Sequence, residues 1–76
     1  MLARVIYDRQ GTAIVTRDDA RRYILELPEF RQRRMTWLHA ARLLIDGASA
    51  EAVTAQIETA LSVDRQLMID PSRGRR

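Results

Sequence analysis

Cysteine is absent from this sequence, which excludes disulfides and thiolate metal sites. Histidine occurs once, at His39, so a histidine metal cluster is excluded as well. No Asp/Glu-rich loop with a central glycine is present to hold a hard cation. Glycine is scarce: Gly11, Gly47 and Gly74 are too far apart to form a phosphate-cradling loop. On these grounds no metal and no cofactor is expected. No run of about 18 apolar residues occurs, so no membrane-spanning helix is expected. The start, Met1-Leu2-Ala3-Arg4, alternates like a strand and lacks the basic opening and long apolar run of a signal peptide. A cytoplasmic location is the expectation, consistent with the missing cysteine.

Lysine is absent too: all 13 basic residues are arginine. Three of them, Arg73, Arg75 and Arg76, stand in the last four positions, and the formal charge of +3 belongs to that tail. Residues 1–72 balance ten arginines against ten acids. A neutral body argues against a surface dedicated to nucleic acid. The organisation expected is one domain over 1–70 and a disordered basic tail over 71–76, beyond Pro71. A chain of 76 residues buries a small share of its unfolded surface, and such domains usually rely on a disulfide, a metal or a partner. With the first two excluded, close packing or self-association remains.

What is present reads as an α+β domain, an N-terminal hairpin packed on three short helices. Residues 2–8 and 12–16 are rich in β-branched side chains and flank Arg9-Gln10-Gly11, a loop suited to a type I turn with glycine in the left-handed position. Asp8 can open that turn. The register pairs Ile6 with Ile14 and places Ala3, Val5, Tyr7, Ala13 and Val15 on the face expected to meet the helices. Ile6 and Ile14 then lie on the outer face and are the candidate interface for a second copy (a homodimer) or another protein. The alternative is that the segment near Leu67 and Ile69 covers them.

Thr16 has the chemistry of a helix N-cap, with Asp19 as the reciprocal acid of a capping box. Ala20, Tyr23, Ile24 and Leu27 repeat at helical spacing over roughly 17–27, and Pro28 ends the run. Residues 28–34 fit either a helical turn or an irregular linker. A second helix over roughly 35–46 carries Trp37, Leu38, Ala41, Leu44 and Ile45, with Gly47 as its C-cap. Ser49 caps a third helix whose inner face is Val53, Ile57, Ala60 and Leu61. Residues 66–69 fit a short third strand or a packed loop. The expected core is Val5, Tyr7, Val15, Ala20, Ile24, Leu27, Trp37, Ala41, Leu44, Ile45, Val53, Ile57 and Leu61.

Few residues carry chemistry. His39 falls beside the apolar stripe, with no Ser–His–Asp or Cys–His arrangement around it. The carboxylate pairs Asp18/Asp19, Glu26/Glu29 and Glu51/Glu58 have simpler roles as caps or solvated helix faces. No enzyme is expected. Arg31, Arg33 and Arg34, flanked by Phe30 and Trp37, form a basic patch. Arginines beside aromatics can bind nucleic acid, which makes nucleic-acid binding the alternative function. Residues 44–53 resemble the turn of a helix-turn-helix. The second helix of that pair, however, would offer Glu51 and Glu58 to DNA, and a glycine C-cap followed by a serine N-cap joins any two helices. The function expected first is a non-enzymatic protein-interaction or regulatory module.

The order of these features resembles a known family. A hairpin precedes a capped helix with Ala20, Ile24 and a Leu-Pro end. An arginine-rich link leads to a helix with Trp37 and Ala41, followed by Gly47 and the acidic start Ser49-Ala50-Glu51-Ala52. This is similar to the small alphaproteobacterial proteins called domain of unknown function 982. The resemblance spans roughly residues 4–69. The chain departs from that family at Leu27, where tryptophan is usual, and across 52–57. The resemblance implies a fold but brings no established activity and no functional residue with it.

Overall fold

A computed structural model describes residues 1–69, so the expected tail over 71–76 lies outside the described residues. Two short strands, β1 (Ile6–Tyr7) and β2 (Ala13–Ile14), pair antiparallel with Ile6 opposite Ile14. The turn between them is fixed by Asp8, whose Oδ1 accepts from the N–H groups of Gln10 at 2.9 Å and Thr12 at 2.8 Å. Gly11 takes φ +85°, a conformation that costs other residues a Cβ clash. The ribbon is lengthened by Leu2, whose N–H donates to the Val15 carbonyl at 2.9 Å.

The hairpin faces the helices with the side opposite to the one expected. Ile6 and Ile14 are 5% and 1% exposed and belong to the core, whereas Tyr7 is 65% exposed and Val5 and Ala13 also face outward. The inner face puts three large aliphatic side chains, Leu2, Ile6 and Ile14, into the core, while the other face leaves Tyr7 outside with its polar hydroxyl. The polar residues that made this face look solvent-bound sit at its ends and find partners there. Arg4 Nε donates to Glu58 Oε2 at 2.9 Å, and Asp8 Oδ2 accepts from the Tyr23 hydroxyl at 3.0 Å. Ile6 and Ile14 are therefore removed as an interface for a second molecule.

Helix α1 (Arg17–Leu25) starts with the complete capping box: Asp19 N–H donates to Thr16 Oγ1 at 3.0 Å, and Thr16 N–H donates to Asp19 Oδ2 at 3.2 Å. Beyond Pro28, the 28–34 segment forms one helical turn, α2 (Glu29–Gln32). That turn returns Gln32 to the end of α1, where its side-chain N–H2 donates to the carbonyls of Ile24, Leu25 and Leu27 at 2.9–3.0 Å. The Ile24 carbonyl also accepts from Leu27 N–H at 3.1 Å, and the amide adds donors for the carbonyls at the open end of the helix.

Helix α3 (Met35–Ile45) and helix α4 (Ala50–Ile69) pack along each other, joined by Gly47 at φ +72°. Ala48 N–H donates to the Leu43 carbonyl at 3.0 Å and Gly47 N–H to that of Leu44 at 3.3 Å, the Schellman pattern. Ser49 Oγ accepts from Ala52 N–H at 3.1 Å and starts α4. The expected third strand over 66–69 is not formed; those residues continue α4. Neither glycine nor proline interrupts residues 50–69, and the buried positions Val53, Ile57, Ala60 and Asp64 keep helical spacing to that end. Among the described residues there are thus four helices, one of them long, rather than three short ones.

Trp37 is fully buried and contacts Tyr23, with ring centroids 5.8 Å apart. Around it lie Leu2, Ile6, Ile14, Ala20, Ile24, Leu27, Ala40, Val53, Ile57 and Ala60. Val15, Ala41, Leu44 and Leu61 are half-buried at its margin, and Ile45, expected inside, faces out.

Candidate functional site

The basic segment 31–34 resolves into two inward arginines and one outward. Arg31, on the single turn of α2, and Arg34, at the start of α3, both reach Asp64 on α4. Asp64 is buried. Its Oδ2 accepts from Arg31 Nε at 2.9 Å, Arg31 Nη2 at 2.6 Å and the Trp37 indole N–H at 2.7 Å, while Oδ1 accepts from Arg34 Nη1 at 2.5 Å. Burial pushes this carboxyl upward, but the indole and the two guanidiniums outweigh it and hold Asp64 below the ordinary aspartate value. Arg33 points away and pairs with Glu29 at 2.7 Å.

Arg31 and Arg34 are thus engaged in fastening three helices together. The patch expected at Arg31, Arg33 and Arg34 does not form one basic surface. Phe30, beside the patch, is exposed, with the Arg34 guanidinium 5.6 Å from its ring centroid. On the second helix of the helix-turn-helix reading, Glu51 stays exposed, but two other residues are engaged within the domain. Thr54 is buried, with its Oγ1 accepting from Ala3 N–H at 2.9 Å, and Glu58 is paired with Arg4. His39 is exposed and lines neither of the two main clefts.

The outstanding surface feature is apolar and lies between α1 and α3. A groove of about 300 Å³ is lined by Arg21, Ile24, Leu25, Ala41, Leu44 and Ile45. Leu25 is 70% exposed and Ile45 79% exposed on its rim. Leu38, seven residues before Ile45, is also exposed, so Leu38, Ala41 and Ile45 form one stripe along the outer side of α3. Met35 continues that stripe toward the start of the helix.

Sequence reasoning missed this groove because it placed Ile45 with Leu44 in one core-facing stripe. Adjacent helical residues diverge by about 100°, so only one of the two could face inward. Leu25 carried a similar signal: it lies off the Ala20–Ile24–Leu27 stripe. Among the described residues, no helix is long and apolar enough to cross a membrane. No family model, no curated protein and no solved structure matches the chain.

Proposed function

We infer that this domain is a cytoplasmic contact module that acts without catalysis, and that its first partner is a second copy of itself. The observation that carries this reading is the exposure of Leu25 and Ile45 beside an apolar groove, continued by Leu38 on the same helix. Exposed apolar side chains are ordinary one by one; here they are contiguous.

A second copy is the occupant that fits the stripe. Leu38, Ala41 and Ile45 recur at intervals of three and four, the spacing of a seam between two helices. Related by a two-fold axis near Ala41, two antiparallel α3 helices set Leu38 of each copy opposite Ile45 of the other. The small Ala41 side chain lets the helices approach at the crossing, and Leu25 of each copy covers the flank. Burying each of these large side chains is worth roughly 1.5–3 kcal/mol. A domain without disulfides gains stability from such a contact.

Sedimentation equilibrium of the purified chain and of the Leu25→Glu/Ile45→Glu double variant tests the reading. A dimer is expected for the former and a folded monomer, with unchanged helical circular dichroism, for the latter. A monomer at every concentration of the unsubstituted chain refutes self-association.

A further inference from the structure

A second cleft lies between the tip of the hairpin and α4 near Asp64 and Arg65. Its volume is about 410 Å³, within the range of small-molecule sites. Three arginines line it, Arg9, Arg31 and Arg65, together with two carboxylates, Asp8 and Asp64, and the aromatic ring of Tyr7.

Both carboxylates are engaged with groups of the protein. Asp8 accepts from two backbone N–H groups of its own turn and from the Tyr23 hydroxyl. Asp64 accepts from Arg31, Arg34 and Trp37 through its two oxygens. Of the three arginines, Arg31 and Arg65 decide what the cleft can hold. Arg31 contacts Asp64 through Nε and Nη2, which fixes the plane of its guanidinium, and it also interacts with the Tyr23 hydroxyl in the same cleft. Arg65 is exposed and makes no ion pair among the described residues. A guanidinium held rigid by a carboxylate beside a second one with room to move is an arrangement that takes a phosphate group. Tyr7, 65% exposed on the same wall, offers a flat face on which a ring can stack.

We propose that this cleft binds a nucleoside phosphate, with the phosphate between Arg31 and Arg65 and the base on Tyr7. The ligand is either a free nucleotide or one unit of a single strand, since both present the same two groups. This site shares no residue with the α1–α3 groove and stands independently of self-association.

The test is titration of the full chain at low salt with ADP, with inorganic phosphate and with a short single-stranded oligonucleotide, followed by calorimetry and amide chemical shifts. ADP binding is expected to shift amides of the hairpin tip and of α4 near Arg65. It should weaken about tenfold or more in Arg65→Ala, and by a smaller factor in Tyr7→Ala, while Arg42→Ala, outside the lining of the cleft, leaves it unchanged. Both substituted positions are exposed, so these variants keep the fold. Tighter binding of the oligonucleotide than of ADP assigns the phosphate to a strand, and the reverse assigns it to a free nucleotide. Absence of ADP and oligonucleotide binding at millimolar ligand, binding indifferent to Arg65→Ala, or phosphate alone binding as well as ADP overturns the proposal.

Discussion

Replacing Asp64 by alanine should be among the most damaging single changes to this domain. The side chain is 2% exposed and accepts four hydrogen bonds, from Arg31 Nε and Nη2, Arg34 Nη1 and Trp37 Nε1. Arg31 and Arg34 keep only 21% and 24% of their side-chain surface in water, so each loses its counter-charge in a poorly solvated place. Removing one member of such a buried pair typically costs about 3–5 kcal/mol, with the unpaired indole N–H included in that range. Domains near this length have total stabilities of order 5–10 kcal/mol. Asp64→Ala should therefore remove a large share of it, whereas Asp64→Asn, which keeps one acceptor and the shape, should lose about 1.5–3 kcal/mol. Urea unfolding read through Trp37 fluorescence measures both, at one fixed protein concentration because association would shift the midpoint. An Asp64→Ala variant within about 1 kcal/mol of the parent would show that the cluster fastens nothing and would refute the reasoning.

The remaining predictions follow from the same contacts. Because Asp64 has its folded-state pKa lowered, its contribution is present above the ordinary aspartate value of 3.8 and is lost as the pH falls through the folded value. Asp8 and Asp19 are lowered as well and add to the same limb, so acid titration by circular dichroism should show a plateau at neutral pH and a transition below about pH 4, shallower in Asp64→Asn. Thr16→Ala should cost about 1 kcal/mol in chemical unfolding, by removing the acceptor for Asp19 N–H. The hairpin face is tested by a pair of changes: Ile14→Ala should cost about 2–5 kcal/mol, and Tyr7→Ser no more than about 0.5 kcal/mol. The reverse order in thermal denaturation would restore the outward-facing isoleucines.

The local signals in this sequence were legible because they are local. Asp8 and Gly11 specify the turn, Thr16 and Asp19 the start of α1, and Gly47 with Ser49 the join of α3 and α4; each acts within a few residues of itself. What failed was the choice of face. The hairpin carries apolar residues on both sides, and Arg4 and Asp8 disguised the inner one until Glu58 and Tyr23, far along the chain, supplied their partners.

The far half of α4 failed for a related reason. Asp64 continues the spacing Val53–Ile57–Ala60, but an acid at a core position breaks an apolar pattern unless its two arginines and its indole are known. The same omission made Arg31 and Arg34 look like surface charge. The apolar groove was hidden because Leu44 and Ile45 are neighbours in sequence, and only the packing of α1 against α3 decides which of them faces out.

The most direct test of the contact-module account is an isotope-filtered NMR experiment on a mixture of labelled and unlabelled chains. The account predicts intermolecular methyl contacts between Leu38 of one copy and Ile45 of the other, disappearing in the Leu25→Glu/Ile45→Glu variant. Absence of any intermolecular contact at millimolar chain, or contacts confined to a face that excludes α3, would contradict it.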